Sequence, residues 1–254
     1  MSTHFTLATP VVLAALALAS PGAQAPKKEA GQKSDAVMKA DTAGWTPLFD
    51  GKTLNGWRAY NAPKETTKKT DTSGTLWKVE NGLLTVPPSG AGDTKGRRDI
   101  ITTGTYQEFD LRWEWKIAEG GNSGVKYFIL EDQPSAIGHE YQLIDDERHP
   151  DAKIGPHRQT AALYDVFAAH DRPMKPAGEW NTSEVIVKGS HVEHILNGKN
   201  VLEYDLGSPA IRAAVAKSKF KDIARFGTSL SGHILVQDHG DQVWFRTIEI
   251  KKVR

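Results

Sequence analysis

Apolar and charged residues alternate without a break from Phe109 to Ile117: Phe109, Leu111, Trp113, Trp115 and Ile117 are separated by Asp110, Arg112, Glu114 and Lys116. A period of two puts each set on its own face of an extended chain, so the stretch predicts a strand with one face buried. Shorter runs of similar texture, cut by Gly, Asn, Asp or Pro, predict strands at 76–79, 83–86, 124–130, 139–145, 184–188, 192–196, 201–204, 233–237 and 243–250. Asn197-Gly198-Lys199-Asn200 marks a hairpin between two of them. The alanine-rich stretch from Pro209 to Phe220 predicts a short helix on the surface. Many short strands with frequent turn signals describe an all-β fold, a two-sheet antiparallel β-sandwich with a short helical excursion.

The first 43 residues follow a different pattern. Residues 11–19 form an apolar run too short for a bilayer span of ~20 residues, and Ala23-Gln24-Ala25 supplies a small-x-small cleavage pattern. Residues 1–25 therefore read as a signal peptide, although His4 is the one basic side chain ahead of the run. Export to the periplasm or beyond, with a mature chain starting near Pro26, is the expectation. Residues 26–43 are rich in Lys, Ala, Gly, Ser and Asp and read as a flexible linker, leaving 44–254 as the folded domain.

Charge narrows the partners. Among 254 residues, 32 Lys+Arg balance 31 Asp+Glu, which removes the electrostatic reason to expect nucleic acid or an anionic membrane. The absence of cysteine excludes disulfides, a thiolate nucleophile and cysteine-ligated metal centres.

Candidate chemistry gathers in four places. His139-Glu140-Tyr141-Gln142-Leu143-Ile144-Asp145 puts Glu140 and Gln142 on one face of a strand and Tyr141, Leu143 and Asp145 on the other. Two polar groups ~7 Å apart along a face suit the hydroxyl spacing of a sugar ring, although any such pair can simply face water. Gln237-Asp238-His239-Gly240 crowds hydrogen-bonding groups at a strand end and includes a side chain that moves protons near neutral pH; a polar hairpin turn would look the same. Glu179-Trp180-Asn181 offers an aromatic face beside an amide, and Gly120-Gly121-Asn122-Ser123-Gly124 a glycine-rich turn around Asn122.

Taken together and in order, four segments resemble the 3-keto-disaccharide hydrolase domain family. They are Trp45 to Trp57 (WTPLFDGKTLNGW), Gly120 to Tyr127, Gly178-Glu179-Trp180-Asn181, and Gln237-Asp238-His239-Gly240 with Val243-Trp244-Phe245-Arg246. The resemblance spans about 45 to 252. Two positions differ from the usual pattern: Thr247 stands where Asn commonly follows Phe-Arg, and Ala161-Ala162-Leu163-Tyr164 where Gly-Ala-x-Tyr is usual. What it implies is a concanavalin-like jelly roll, an exported protein, and cleavage of glycosides already oxidised to the 3-keto sugar. The substrate is then a small molecule or oligosaccharide, and the functional link is to a sugar 3-dehydrogenase.

A ketone at C3 acidifies the C2 hydrogen, so a base at C2, an acid at the glycosidic oxygen and donors at the C3 oxygen suffice for elimination, with water addition completing a net hydrolysis. Glu140 and His239 are the first candidates for the proton-transfer pair, with Asp145 or Glu114 to orient the histidine or act in its place. Arg246 with Gln142 suits the keto oxygen, while Asn122, Tyr164, Trp180 and Gln237 suit hydroxyls and a ring face. Two other readings use the same features. An ordinary jelly-roll glycoside hydrolase carries Glu-x-Asp-x-x-Glu on a strand, and Glu140-x-Gln142-x-x-Asp145 lacks its central carboxylate. A non-catalytic carbohydrate-binding module would need only the Trp, Gln and Asn groups. No cofactor is called for, and no metal, since His139, His149, His157 and His170 show no recognised ligand spacing among Asp145, Asp146 and Asp151. The architecture leaves room for a structural calcium held by loop oxygens.

Overall fold

The structure is a computed structural model that describes Met1 and residues 44–61, 72, 74–89, 99–133 and 135–253. The expected signal peptide and linker lie outside the described residues, Met1 apart. Among the described residues, thirteen strands and one α-helix are formed: β1 (Thr46–Phe49), β2 (Trp57–Ala59), β3 (Lys78–Glu80), β4 (Leu83–Val86), β5 (Ile100–Thr102), β6 (Phe109–Ile117), β7 (Asn122–Ile129), β8 (His139–Ile144), β9 (Asn181–Lys188), β10 (His191–Leu196), β11 (Lys199–Asp205), α1 (Pro209–Val215), β12 (His233–Val236) and β13 (Val243–Lys251). They build two antiparallel sheets. The larger runs β11-β10-β9-β6-β13-β4-β3, with β1 also paired to β13; the smaller runs β2-β5-β12-β7-β8. This is the all-β, two-sheet antiparallel sandwich that the alternation predicts and the jelly roll that the resemblance implies, and no described helix is long and apolar enough to cross a membrane.

The alternation in β6 explains the layering. Phe109, Leu111, Trp113, Trp115 and Ile117 point inward and are essentially buried, meeting Val125 and Tyr127 of β7, Tyr141 and Leu143 of β8, and Ile234 and Val236 of β12. Trp113 meets Tyr141 edge to face at 4.9 Å between ring centres, and Phe109 meets Tyr127 at 6.0 Å. Burying one such indole removes ~200 Å² from water, a transfer term of ~5 kcal/mol.

Polar groups also enter this core, as one directed chain. Gly227 N–H donates to His139 Nε2 (3.0 Å), so the proton of that ring sits on Nδ1 and is donated to Tyr204 Oη (3.1 Å). Tyr204 and Tyr127 share a 2.5 Å hydrogen bond, Tyr127 lies 2.9 Å from His194 Nε2, and His194 Nδ1 donates to Ala161 O (2.8 Å). Every member then has both a donor and an acceptor, which is the condition for such groups to lie dry. Burial holds the imidazoles neutral, His139 down to about 3 and His194 to about 4.

Some boundaries differ from the expectation. β7 starts at Asn122, so the segment from Asn122 to Gly124 is strand, with only Gly120 (φ 67°) in the left-handed region of the preceding turn. The hairpin between β10 and β11 turns on two residues, Asn197 (φ 49°) and Gly198 (φ 81°). Helix α1 is capped by Ser208, whose side chain accepts from Ile211 N, but it stops at Val215. There the Ser218 hydroxyl donates to Val215 O and accepts from Phe220 N, turning the chain.

Candidate active site

Because Tyr141 and Leu143 face the core, Glu140 and Gln142 stand on the outer face of the smaller sheet. On β7 the same parity puts Asn122, Gly124 and Lys126 on that face, and the register sets Gly124 opposite Gln142 and Lys126 opposite Glu140. Leu235 pairs with Lys126, and Gln237 N donates to Gly124 O, which brings Gln237 alongside. Glu140 leans over Gly124, where any Cβ would overlap its Oε1. Its carboxylate has a side-chain exposure of 8% and lies 3.6 Å from Lys126 Nζ. With its amide nitrogen turned inward, Gln142 donates to Ser123 O (3.0 Å) and to Glu140 Oε1 (3.2 Å).

The free edge of β8 is closed by a loop. Tyr164 N donates to Glu140 O, Gln142 N to Ala162 O and Ala161 N to Gln142 O, with Ala161 in the left-handed region (φ 66°). Tyr164 thereby stands beside Glu140, its hydroxyl donating to Asp151 Oδ2 (2.7 Å). Burial and the Asp151 bond push the Tyr164 phenol well up. Burial pushes Asp151 the other way from its partners, but the Tyr164 hydroxyl and Arg158 outweigh it and leave that carboxyl below its ordinary value.

At the far end of β7 the Asn122 amide Nδ2 lies 3.4 Å from His239 Nε2, and Asp241 Oδ2 lies 3.7 Å from His239 Nδ1 while accepting the Asn122 backbone N–H (3.1 Å). The His149 ring is 5.8 Å from that of His239. Asn122 and Gly124 are two strand positions apart, ~7 Å, so Glu140 and His239 frame a stretch of sheet about as long as a sugar ring. Asn122 Oδ1 and Gln237 Oε1 are buried without a hydrogen-bond partner among the described residues, so both amides retain unused acceptor capacity next to this face.

Four other expected residues stand elsewhere or are otherwise engaged. Glu114 alternates with Trp113 and Trp115 and so occupies the outer face of the larger sheet, where it accepts from Arg246 Nη2 (2.9 Å) and Thr247 Oγ1 (3.0 Å). Trp180 covers that pair, its ring 4.3 Å from the Arg246 guanidinium. The aromatic core lies between this cluster and Glu140, so Arg246, Glu114 and Trp180 cannot touch the same sugar as Glu140 and Gln142. Asp145 lies past the end of β8 and is consumed by its turn: it takes N–H groups from Gly120, Glu147 and Arg148. Burial alone would raise it, and those bonds hold it below its ordinary value. The carboxylate beside His239 is therefore Asp241.

Sequence reasoning also passed over Lys126 and Asp99. Lys126 had a signal, a cation inside the apolar run Val125 to Ile129. Asp99, just before β5, accepts from Asp238 N (2.9 Å) and had none. Burial raises its pKa, with Lys126 opposing and Glu140 reinforcing the shift. Among the described residues, His149, His239 and Asp241 bring one potential metal ligand each within 4.8 Å of one another. His149 Nδ1 accepts the Asp151 backbone N–H (3.1 Å), which leaves Nε2–H as the donor of a neutral ring, the opposite of the arrangement in which a ligating histidine donates its second N–H outward. Burial and the neighbouring His239 lower its pKa.

The fold and this face define a jelly-roll sandwich with a carboxylate set in a polar row on the outside of its smaller sheet. The chain belongs to the 3-keto-alpha-glucoside-1,2-lyase-like domain family, which matches residues 44–251. It is 35% identical to a 3-keto-disaccharide hydrolase of Bacteroides thetaiotaomicron over 249 residues, 88% of this chain and 83% of that protein. Its fold is similar to that of a Parabacteroides distasonis protein described as a glycosyl hydrolase, with TM-score 0.70, 31% identity, and coverage of 84% of this chain and 95% of that one. A second protein of that organism, described likewise, gives TM-score 0.59 at 29% identity, covering 82% and 99%.

Proposed function

We propose that this chain cleaves 3-keto glycosides by net hydrolysis, through C2 proton abstraction, 1,2-elimination and addition of water. The observation that carries the reading is the Glu140 carboxylate, held over Gly124 beside Lys126 at one end of the polar row. Family membership and the similarity to a 3-keto-disaccharide hydrolase support the substrate class.

Glu140 takes the C2 proton, made acidic by the C3 ketone, and the electron pair forms the C1–C2 double bond as the glycosidic C1–O bond breaks. The same carboxyl returns its proton to the departing oxygen, which lies one bond further on. Negative charge that builds on the C3 oxygen is met by donors beyond Glu140. His239, steadied by Asp241, fills the role first given to Arg246, with the Asn122 and Gln237 amides beside it. Water then adds to the enone, hydroxide to C1 and a proton to C2, with Glu140 again as the carrier. The ketone requires an enzyme that oxidises the C3 hydroxyl, so a sugar dehydrogenase acts upstream. Residues 1–25 read as a signal peptide, which supports export of a chain that begins near Pro26 and chemistry carried out beyond the cytoplasm.

The test is turnover of a nitrophenyl glucoside beside its 3-keto form. Cleavage of the keto form alone is expected. Cleavage of both would point to an ordinary glycosidase, and of neither to a binding module; either contradicts the reading.

A further inference from the structure

Register orders the groups along β8. Stepping from Glu140 toward Gln142 leads to the polar end, with Asn122 and His239; stepping the other way leads to Gly138 and the segment before it. On that second side lies a cavity of about 400 Å³, bordered by Glu140, Lys126 and Lys219 and walled by Ile137, Phe220 and Ile223. This volume falls within the range of small-molecule sites. Part of its wall contrasts with the polar row: Ile137, Phe220 and Ile223 present aliphatic and aromatic surface beside Ser135 and the two lysines, whereas Gln142, Asn122 and Gln237 supply amides to the other side.

The walls are fixed by packing. Phe220 is buried and stacks on Phe226 at 4.3 Å with planes 9° apart. Lys219 is held at the rim by its backbone N–H to Asp165 Oδ2 (2.8 Å), and its ammonium lies 4.0 Å from the Tyr164 ring centre and 5.1 Å from that of Phe220. A flat apolar ring would be desolvated between Ile137 and Ile223, with the hydrogen-bonding groups of Lys126, Lys219 and Ser135 at its edge.

We infer that this cavity is the leaving-group subsite and that it favours an aromatic aglycone over a small or polar one. The inference rests on the reading that Glu140 acts at the glycosidic centre: the sugar then lies over the polar row and its C1 substituent enters the cavity. Lys126 and Lys219 flank the point where the departing oxygen carries charge.

Benzyl and methyl 3-ketoglucosides test this, because benzyl alcohol and methanol are leaving groups of nearly equal acidity. Wild-type kcat/KM should favour the benzyl compound by at least ~10-fold, the worth of burying a ring. Ile223→Asp, at the partly exposed rim and outside the proton-transfer groups, should remove that preference while leaving the methyl compound within ~2-fold of wild type. Equal wild-type rates, or an equal loss on both substrates in the variant, would overturn the subsite. Calorimetric binding of the same two compounds needs no turnover. If neither is cleaved but benzyl binds at least ~10-fold tighter and loses this in Ile223→Asp, the subsite stands and the catalytic reading falls. Equal binding of both, with no cleavage, would sink both.

Discussion

Glu140 is useful because of what lies beneath it. Gly124 has an ordinary strand conformation, so conformational freedom does not explain the residue; the space taken by Glu140 Oε1 does. Gly124→Ala should therefore fold, since the carboxylate is the movable partner, yet displace that carboxylate and cut kcat. Glu140→Gln should keep the melting temperature and lower kcat by ~10²–10⁴, the yield of general acid-base catalysis. Steady-state kinetics beside a thermal melt checks both, and an active Gly124→Ala enzyme would mean that Glu140 need not sit there. Glu140 and Gln142 were legible from alternation alone. Asp145 was misread for a local reason: parity describes a strand, and β8 ends at Ile144, so the carboxylate caps a turn.

Among the elements, β3, β4 and β6 to β13 were readable from apolar runs and the turn residues between them. β1, β2 and β5 were not, having three or four residues each and being set by pairing to β13 or to one another. Motif density also misled about location. Trp180 and Arg246 belong to family-like segments, but Arg246 stands in β13 and Trp180 immediately precedes β9, both strands of the larger sheet, so they build a cation–π and ion-pair cluster with Glu114 on its outer face. Trp180→Ala should thus cost ~1–3 kcal/mol in urea unfolding, through lost packing, while KM for a 3-keto glucoside stays within ~2-fold of wild type. A large rise in KM with unchanged stability would place substrate on that face instead.

For the whole molecule, the buried chain of His139, Tyr204, Tyr127 and His194 ties β7, β8, β10 and β11 to the Ala161 loop that carries Tyr164. Composition could not reveal it, because each member alone reads as an ordinary strand residue. It gives the fold a pH dependence of definite sign. Burial lowers His139 to about 3 and His194 to about 4, both below the ordinary histidine value of 6.5. The unfolded chain therefore binds protons that the folded one refuses, and stability falls as pH drops below 6.5. Each histidine contributes a slope of up to ~1.4 kcal/mol per pH unit, ending near its folded value. Urea midpoints between pH 7 and 4 should fall accordingly, and His194→Gln should be less stable at pH 7 but show a shallower decline. An unchanged slope in that variant would remove His194 from the account.

If Glu140 moves the C2 proton, the hydrogen at C2 of the product reports it. In D2O, a 3-keto glucoside cleaved by elimination and hydration must acquire deuterium at C2, because the proton removed there is exchanged or replaced before water addition is complete. Early-time NMR of the product should show C2 deuteration in step with glycosidic cleavage, and Glu140→Gln should lose both together. Product that forms at the wild-type rate with its original C2 hydrogen would contradict the mechanism.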